Sequence, residues 1–142
     1  MSDAFDLERF VKAQDGLFEG VLAELRRGSK HEHWMWFIFP QMRGLGSSPT
    51  SVHFGISTRA EAEAYLAHPV LGPRLVECTE QVNLVRDRSI EEIFGVVDAL
   101  KFRSSMTLFS EVSHDGRAFR DALNKYFAGE PDRRTLDLLG PK

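Results

Sequence analysis

An apolar stripe between Leu71 and Val85 constrains the fold of this chain more than any other feature. Five side chains recur there at alternating steps of four and three residues: Leu71, Leu75, Cys78, Val82 and Val85. This spacing places all five on one face of an α-helix and does not fit the alternation of a half-buried strand. The stripe therefore predicts a long amphipathic helix with its single cysteine in the core.

Signals for helix ends occur along most of the remaining chain. Asp6 is a predicted N-cap, Gly28 a predicted helix terminator, and Asp132 the predicted cap of a last short helix. Two pairs have the spacing of a capping box, which marks a helix start: Thr58 with Glu61, and Ser89 with Glu92. Helical pattern thus extends from the first residues to the last.

The segment from Asp98 to Val112 predicts a central helix. Apolar side chains lie on two of its sides, with Val97, Leu100 and Leu108 on one and Phe102, Met106 and Phe109 on the other. A helix that is apolar nearly all round is buried. We therefore predict an all-α fold, a single compact multihelical domain over residues 1–142 that is at least half helix.

Two neighbouring segments interrupt the helical pattern. Trp34 to Phe39 is an unbroken apolar run ended by Pro40, and periodicity cannot distinguish a buried strand from a buried helix there. The helical surroundings favour a short buried helix. Gln41 to Ile56 is rich in glycine and serine and predicts a long irregular loop, a kind of segment that often carries function.

Composition excludes several classes of protein. Hydrophobic content of 42% with 27% charged residues is typical of a globular chain. A net charge of −3 argues against general nucleic-acid binding, and one cysteine excludes a disulfide framework or a cysteine-rich zinc site. The acidic N-terminus and the lack of a run of roughly 20 apolar residues indicate no signal peptide and no membrane span, so we expect a cytoplasmic protein.

Three strings carry a family resemblance that covers nearly the whole chain. They are HWMWFIFPQ at residues 33–41 with GLG at 44–46, AYLAHPVLG at 64–72, and KFRSSMTLF at 101–109. In this order they resemble the bacterial family known as domain of unknown function 1810. The resemblance implies an all-helical fold and no established activity. Val97 stands where that family more often has a proline before its aspartate.

Some members of that family carry the label calpastatin, which does not fit this chain. A calpain inhibitor of that type is a long, polar, disordered chain, whereas this sequence is short and apolar.

The predicted central helix carries charged and hydroxyl side chains although it is expected to be buried. Asp98, Lys101 and Ser105 lie at steps of three and four, so they share one face. A charged group in a buried helix must be matched, because an unpaired buried charge costs several kcal/mol. One interpretation is a structural Asp98–Lys101 pair. The other is a polar pocket with Arg103 and Ser104 near its rim.

The loop from Arg43 to Ser48 offers a second polar feature. Its backbone N–H groups, hydroxyls and guanidinium suit an anion, although it lacks the ending of a Walker motif and such loops usually only turn the chain. Trp34 and Trp36 are favoured as core residues, with stacking on a base or sugar as the alternative.

Metal and nucleophile chemistry have weak support. His31, His33 and His53 are not accompanied by a carboxylate-rich motif, so no metal and no cofactor is predicted. Ser104 and Ser105 do not lie in a Gly-x-Ser-x-Gly elbow, and no hydrolase triad can be assembled.

These features favour a small binding protein with one polar pocket for a modest anionic, phosphate-bearing ligand. Nine residues form the predicted lining: Trp34, Gln41, Arg43, Ser47, Ser48, His53, Asp98, Lys101 and Arg103. One alternative is a hydrolase for a nucleotide-like substrate, with His53 or Asp98 as general base and Lys101 or Arg103 stabilising negative charge. A third is a protein-interaction adaptor, which an exposed apolar patch would mark.

Overall fold

The computed structural model describes residues 3–141, and this range forms ten α-helices. They are α1 (Glu8–Gln14), α2 (Phe18–Arg27), α3 (Met35–Ile38), α4 (Pro49–His53), α5 (Arg59–Ala67), α6 (Leu71–Leu84), α7 (Ile90–Phe94), α8 (Val96–Val112), α9 (Arg117–Phe127) and α10 (Arg133–Leu139). Within this range the only β pairing is an isolated bridge between Met42 and Ile56. The predicted all-α fold is confirmed. None of the described helices has the length and apolar character needed to cross a membrane.

Side-chain caps start three of the helices that the sequence predicted, α5, α7 and α10. The side chains of Thr58, Ser89 and Asp132 each accept the backbone N–H three residues later. At Ser89 the box is complete, because Glu92 also accepts the Ser89 N–H. Gly28 ends α2 with a φ of 70°, a left-handed conformation that glycine adopts without strain.

The predicted cap of α1 was wrong. Asp6 has a φ of 52° and lies before the helix, which begins at Glu8. The Asp3 carboxylate instead accepts the N–H groups of Leu7 and Glu8, at 2.7 and 2.9 Å. Asp3 therefore satisfies the free donors of the first turn from a position earlier than local spacing suggested.

The segment from Gln41 to Ile56 is more ordered than predicted, because it contains α4. Ser48 caps this helix by accepting the Ser51 N–H, and Pro49 occupies its first position. Two backbone hydrogen bonds close the base of the segment, from Arg43 N to Ile56 O at 2.8 Å and from Ile56 N to Gln41 O at 2.9 Å. The segment thus contains a short helix, and backbone hydrogen bonds hold its two ends together.

The helix α8 lies at the centre of the fold and contacts α3, α5, α7, α9 and α10. From Phe102 to Phe109 it is buried apart from the half-buried Arg103, as predicted for a central helix. Its first turns differ from the prediction, since Val97 and Leu100 are 66% and 60% exposed. These two side chains lie at the mouth of a cavity, described below, where no helix covers them.

The helix α6 and the aromatic run pack as the sequence indicated. Four of the five stripe residues are at most 1% exposed, and Val85 at the helix end is 9% exposed. The apolar run forms the short helix α3. Trp34 before it is buried and packs edge-on against Phe94, whereas Trp36 is half-buried. Both elements place their apolar faces against the centre of the molecule.

Candidate functional site

The nine predicted lining residues do not share one cavity, so the single pocket inferred from the sequence is not formed. Gln41 and Lys101 line one cavity, and Arg43 and His53 line another. Trp34 and Arg103 line two further cavities. Asp98 bonds to Lys101 from beside the first cavity. Ser47 and Ser48 are exposed in the loop and line none of the cavities named here.

Asp98 binds two lysines rather than one. Its Oδ1 lies 3.3 Å from Lys101 Nζ, one turn along α8, and its Oδ2 lies 2.8 Å from Lys30 Nζ. Each ammonium also lies over an indole ring, Lys30 at 5.1 Å from the Trp34 centroid and Lys101 at 4.6 Å from that of Trp36. The two cations share one carboxylate, so the group carries an excess of one positive charge.

The cavity beside this group, here called the Lys101 cavity, has a volume of about 360 Å³. It lies between the loop after α3, the first turns of α8 and the start of α10. Its lining consists of Gln41, Leu45, Gly46, Ser51, Val97, Leu100, Lys101, Ser104, Asp132 and Arg134. The lining combines two cations and one carboxylate with hydroxyl, amide and apolar groups.

Several donors of the Lys101 cavity remain free for a ligand. The Lys101 ammonium has three N–H groups, of which one is directed at Asp98. Arg134 makes one long hydrogen bond, from Nη2 to Gly44 O at 3.3 Å. One oxygen of the Asp132 carboxylate is engaged, because its Oδ2 accepts both the N–H and the hydroxyl of Thr135. The free groups are therefore mainly cationic donors.

Gln41 contributes an acceptor without a partner. Its Oε1 is buried and accepts no hydrogen bond from any residue between 3 and 141. A buried acceptor left unpaired costs about 1–3 kcal/mol.

The loop beside Gln41 is tightly packed at Gly46, since a Cβ on Gly46 would lie 2.7 Å from Ser51 Oγ. Gly46 thus lets the Ser51 hydroxyl approach the cavity wall.

The cavity lined by Arg43 and His53 also contains Arg9, a cation whose donors are all engaged. Arg9 donates to the carbonyl oxygens of Phe5, Asp6, His53 and Gly55, and its Nη2 lies 2.7 Å from Glu61 Oε2. Arg43 donates to Val52 O at 3.1 Å. These bonds hold the segment from Gln41 to Ile56 onto α1 and α5. The arrangement is structural, and the guanidinium of Arg9 has no donor to spare.

The remaining predicted groups do not form a catalytic centre. Arg103 faces the connection between α9 and α10, where its Nε donates to Glu130 O at 3.1 Å. Ser104 donates to Leu100 O, and the fully buried Ser105 Oγ has no partner among the described residues. The histidines are dispersed, and the described chain holds no cluster of three or more His, Cys, Asp or Glu side chains suited to a metal.

Sequence reasoning missed Lys30, Arg134 and Glu24, because each reaches its partner through the tertiary fold. Glu24 Oε1 accepts the Trp34 indole N–H at 3.1 Å and two backbone N–H groups. A signal existed for Glu24: a buried indole needs an acceptor, and the preceding helix α2 carries two carboxylates, Glu19 and Glu24. No local pattern indicates the contacts of Lys30 or Arg134.

Comparisons with known proteins indicate a family and no activity. The family model described as a protein of unknown function (DUF1810) matches residues 4–139. The crystal structure of the conserved hypothetical protein Rv1873 from Mycobacterium tuberculosis is similar at 56% sequence identity and a TM-score of 0.97. The similarity covers 99% of this chain and 100% of that one. No curated protein matches the chain.

Proposed function

The chain belongs to the DUF1810 family of proteins of unknown function, and we propose that it binds a small, phosphate-bearing molecule in the Lys101 cavity. The observation that carries the proposal is the pairing of free cationic donors with an unsatisfied buried acceptor. Lys101 and Arg134 supply the donors, and Gln41 Oε1 supplies the acceptor. A phosphate monoester that also carries a hydroxyl satisfies both at once.

The charge balance around the cavity favours an anion. Lys30, Lys101 and Arg134 stand against two carboxylates, Asp98 and Asp132, which leaves an excess of one positive charge. Cationic donors in a partly desolvated site bind phosphate oxygens through short, charge-assisted hydrogen bonds. The volume of about 360 Å³ suits a sugar phosphate or a nucleoside monophosphate rather than a macromolecule.

Thermal denaturation with a matched panel of compounds tests the proposal. Ribose 5-phosphate and adenosine monophosphate are compared with ribose and adenosine, which lack the phosphate, and with inorganic phosphate, which lacks the hydroxyls. At about 100 times its Kd, a bound phosphate ester stabilises the fold by about 2.7 kcal/mol. The neutral compounds give no stabilisation if Lys101 and Arg134 provide the binding energy.

Two variants and one control connect the effect to the cavity. Lys101→Met and Arg134→Met should each remove most of the stabilisation by ligand. Arg133→Met is the matched control, because Arg133 is the exposed neighbour of Arg134 and does not line the Lys101 cavity. Equal loss in all three variants, or stabilisation by ribose equal to that by its phosphate, would contradict the proposal.

One observation favours the adaptor as a second candidate. Val96, Val97 and Leu100 form an apolar patch at the start of α8, with exposures of 68%, 66% and 60%. Such a patch either covers the apolar part of a ligand or meets another protein. An adaptor predicts that no compound in the panel changes the stability of the wild-type protein. A shift that depends on Lys101 favours the binding protein.

The hydrolase alternative has no comparable support. His53, one of its two proposed bases, lines the cavity that contains Arg9 rather than the Lys101 cavity. Asp98, the other, has both carboxylate oxygens bound to lysines. Neither is placed to remove a proton from water at the Lys101 cavity, because a general base needs a free acceptor within hydrogen-bond reach of the reacting atom.

A further inference from the structure

The cavity lined by Trp34 lies on the face of the molecule formed by α2 and the segment before α3. It has a volume of about 470 Å³ and is here called the Glu24 cavity. Its lining consists of Gly16, Leu17, Gly20, Val21, Glu24, Glu32, His33 and Trp34. Its walls are largely apolar, formed by two aliphatic side chains, an indole and two glycines. Nothing in the proposed phosphate site uses this cavity.

A buried carboxylate forms the polar part of this cavity. Glu24 is 7% exposed, and its Oε1 accepts three hydrogen bonds, from the N–H groups of His31 and Glu32 and from the Trp34 indole. Its Oε2 accepts none from any described residue and retains contact with the open space, since it is not among the fully enclosed atoms without partners. One oxygen therefore fixes the side chain, and the other is available.

The Glu24 carboxylate is ionised at neutral pH. Burial by itself raises the pKa of Glu24, but the hydrogen bonds from His31, Glu32 and Trp34 outweigh it and hold the pKa below its usual value. Lys30 lies over the Trp34 ring and binds Asp98 and the Glu32 carbonyl oxygen rather than Glu24. Among residues 3–141, Glu24 therefore has no lysine or arginine paired with it.

Gly20 leaves space in the cavity, although no neighbouring atom prevents a larger residue at this position. It lies in the first turn of α2, and a Cβ built on it would meet nothing within 4 Å. Glycine is a poor helix former, so a larger residue would suit this helix position at least as well. The missing side chain leaves space between Leu17, which is 51% exposed, and the carboxylate of Glu24.

We infer that the Glu24 cavity binds a small organic ammonium ion that carries an apolar group. The ammonium donates to Glu24 Oε2, and the apolar group covers Leu17, Val21 and the edge of Trp34. Glu32 at the rim adds a second negative charge to the same face. This inference does not depend on the phosphate site, because the two cavities share no lining residue.

The Trp34 indole N–H is a built-in reporter, since its hydrogen bond ends on the carboxylate that would bind the ammonium. In a Trp36→Phe background it gives the only indole signal in a ¹H–¹⁵N spectrum. The probe is 2-phenylethylammonium, and the comparison compound is 2-phenylethanol, which has the same apolar group without the charge. We expect a saturable shift with the ammonium and binding at least about tenfold weaker for the alcohol.

Variants separate this site from non-specific binding. Glu24→Gln keeps an oxygen to accept the three structural hydrogen bonds and removes the charge, so affinity for the ammonium should fall about tenfold or more. Gly20→Met fills the cavity from a helix position with open space and should abolish the shift while the spectrum stays folded. Glu19→Met, on the same helix but outside the cavity, is the control and should bind like the parent protein.

Three results would overturn the inference. The first is the absence of a saturable shift in the parent protein. The second is equal affinity for the ammonium and the alcohol, which would show that the carboxylate contributes nothing. The third is an unchanged affinity in a folded Gly20→Met variant, which would place the binding elsewhere.

Discussion

Because Asp98 binds two lysines, the loss of Lys101 should cost less stability than it would in a simple ion pair. In a simple pair, loss of Lys101 would leave an uncompensated carboxylate, at a cost of about 3–5 kcal/mol if buried. Here Lys30 lies closer to the carboxylate and is the more buried cation, with 7% of its side chain exposed against 21% for Lys101. Lys30 thus makes the shorter and more buried contact with Asp98, whereas Lys101 directs one N–H group at Asp98 and keeps two for other contacts.

We therefore expect replacement of Lys30 and replacement of Lys101 to lower the free energy of unfolding by different amounts. Lys101→Met should lower the free energy of unfolding by less than about 1 kcal/mol, as for a partly exposed pair whose anion keeps another partner. Lys30→Met should cost about 1–2 kcal/mol more, because it removes the shorter, better buried contact. Urea denaturation of both variants measures the difference, and a larger loss in Lys101→Met would reverse the assignment.

Residues could be predicted from the sequence where their partners are local. Ser89 and Asp132 were identified as caps because a cap and its donor are three residues apart. Gln41 and Lys101, both named from the sequence, line the same cavity. The contacts of Lys30 with Asp98 and of Arg134 with Gly44 could not be predicted, since these residues are distant in the chain and no spacing rule covers such contacts.

At the scale of elements, the segment from Gln41 to Ile56 depends on α1 and α5. Arg9 on α1 donates to the carbonyl oxygens of His53 and Gly55 and pairs with Glu61 on α5. Both members of this ion pair are buried, with 8% and 4% of their side chains exposed. The guanidinium of Arg9 therefore helps to hold this segment, which forms one wall of the Lys101 cavity, against α1 and α5.

Replacement of Arg9 should both destabilise the fold and loosen this segment. Arg9→Met leaves Glu61 buried without its cation, and we expect a loss of about 3–5 kcal/mol in the free energy of unfolding. Amide hydrogen exchange should accelerate most between residues 41 and 56. Arg59→Met is the control, because the hydrogen bonds of Arg59 are long, at 3.4 and 3.5 Å. Uniform acceleration over all helices would contradict a local role.

The sequence could predict helices better than the loop between them, for a physical reason. A stripe such as that of α6 is repeated over several turns, whereas α4 has only five residues and its signal is a serine cap followed by Pro49. The surrounding glycines and serines obscured that signal. At the start of α8 the residue types were apolar, yet Val97 is exposed, because burial depends on what packs opposite and not on the helix alone.

At the scale of the whole molecule, two buried acids, Cys78 and Tyr65, and the half-buried Tyr126 make the stability of the fold depend on alkaline pH. Burial raises the pKa of Cys78 from 9.0 to about 12 and that of Tyr126 from 10.0 to about 12. Burial also raises the pKa of Tyr65, which is fully enclosed. In the unfolded chain these groups lose their protons near their ordinary values, so above about pH 9 the unfolded state binds fewer protons than the folded state.

Stability should therefore be insensitive to these groups below about pH 9 and should fall as pH rises above it. Thermal unfolding of the wild-type protein from pH 8 to pH 10 measures the decline. Cys78→Ala removes the group with the lowest ordinary pKa among the three, so its decline, taken relative to its own value at pH 8, should be smaller. Identical declines in the two proteins would show that Cys78 is not shielded as described.

The two cavities give the molecule faces of opposite electrostatic character. The Lys101 cavity has an excess of cations, and the Glu24 cavity has an ionised carboxylate in apolar walls. The group formed by Lys30, Trp34 and Asp98 contacts both cavities. Trp34 lines the Glu24 cavity, and Asp98 binds Lys101, which lines the Lys101 cavity. This partly buried group therefore contacts lining residues of both cavities.

Chemical-shift mapping with ribose 5-phosphate tests most directly whether the Lys101 cavity binds a phosphate-bearing ligand. The account predicts saturable changes in the ¹H–¹⁵N spectrum at the Gln41 side-chain amide and at the backbone of Ser51, Leu100 and Arg134. Signals around Arg9 and His53 should stay unchanged. Changes confined to those latter residues, or no saturable change at Gln41 with any phosphate ester of the panel, would contradict it.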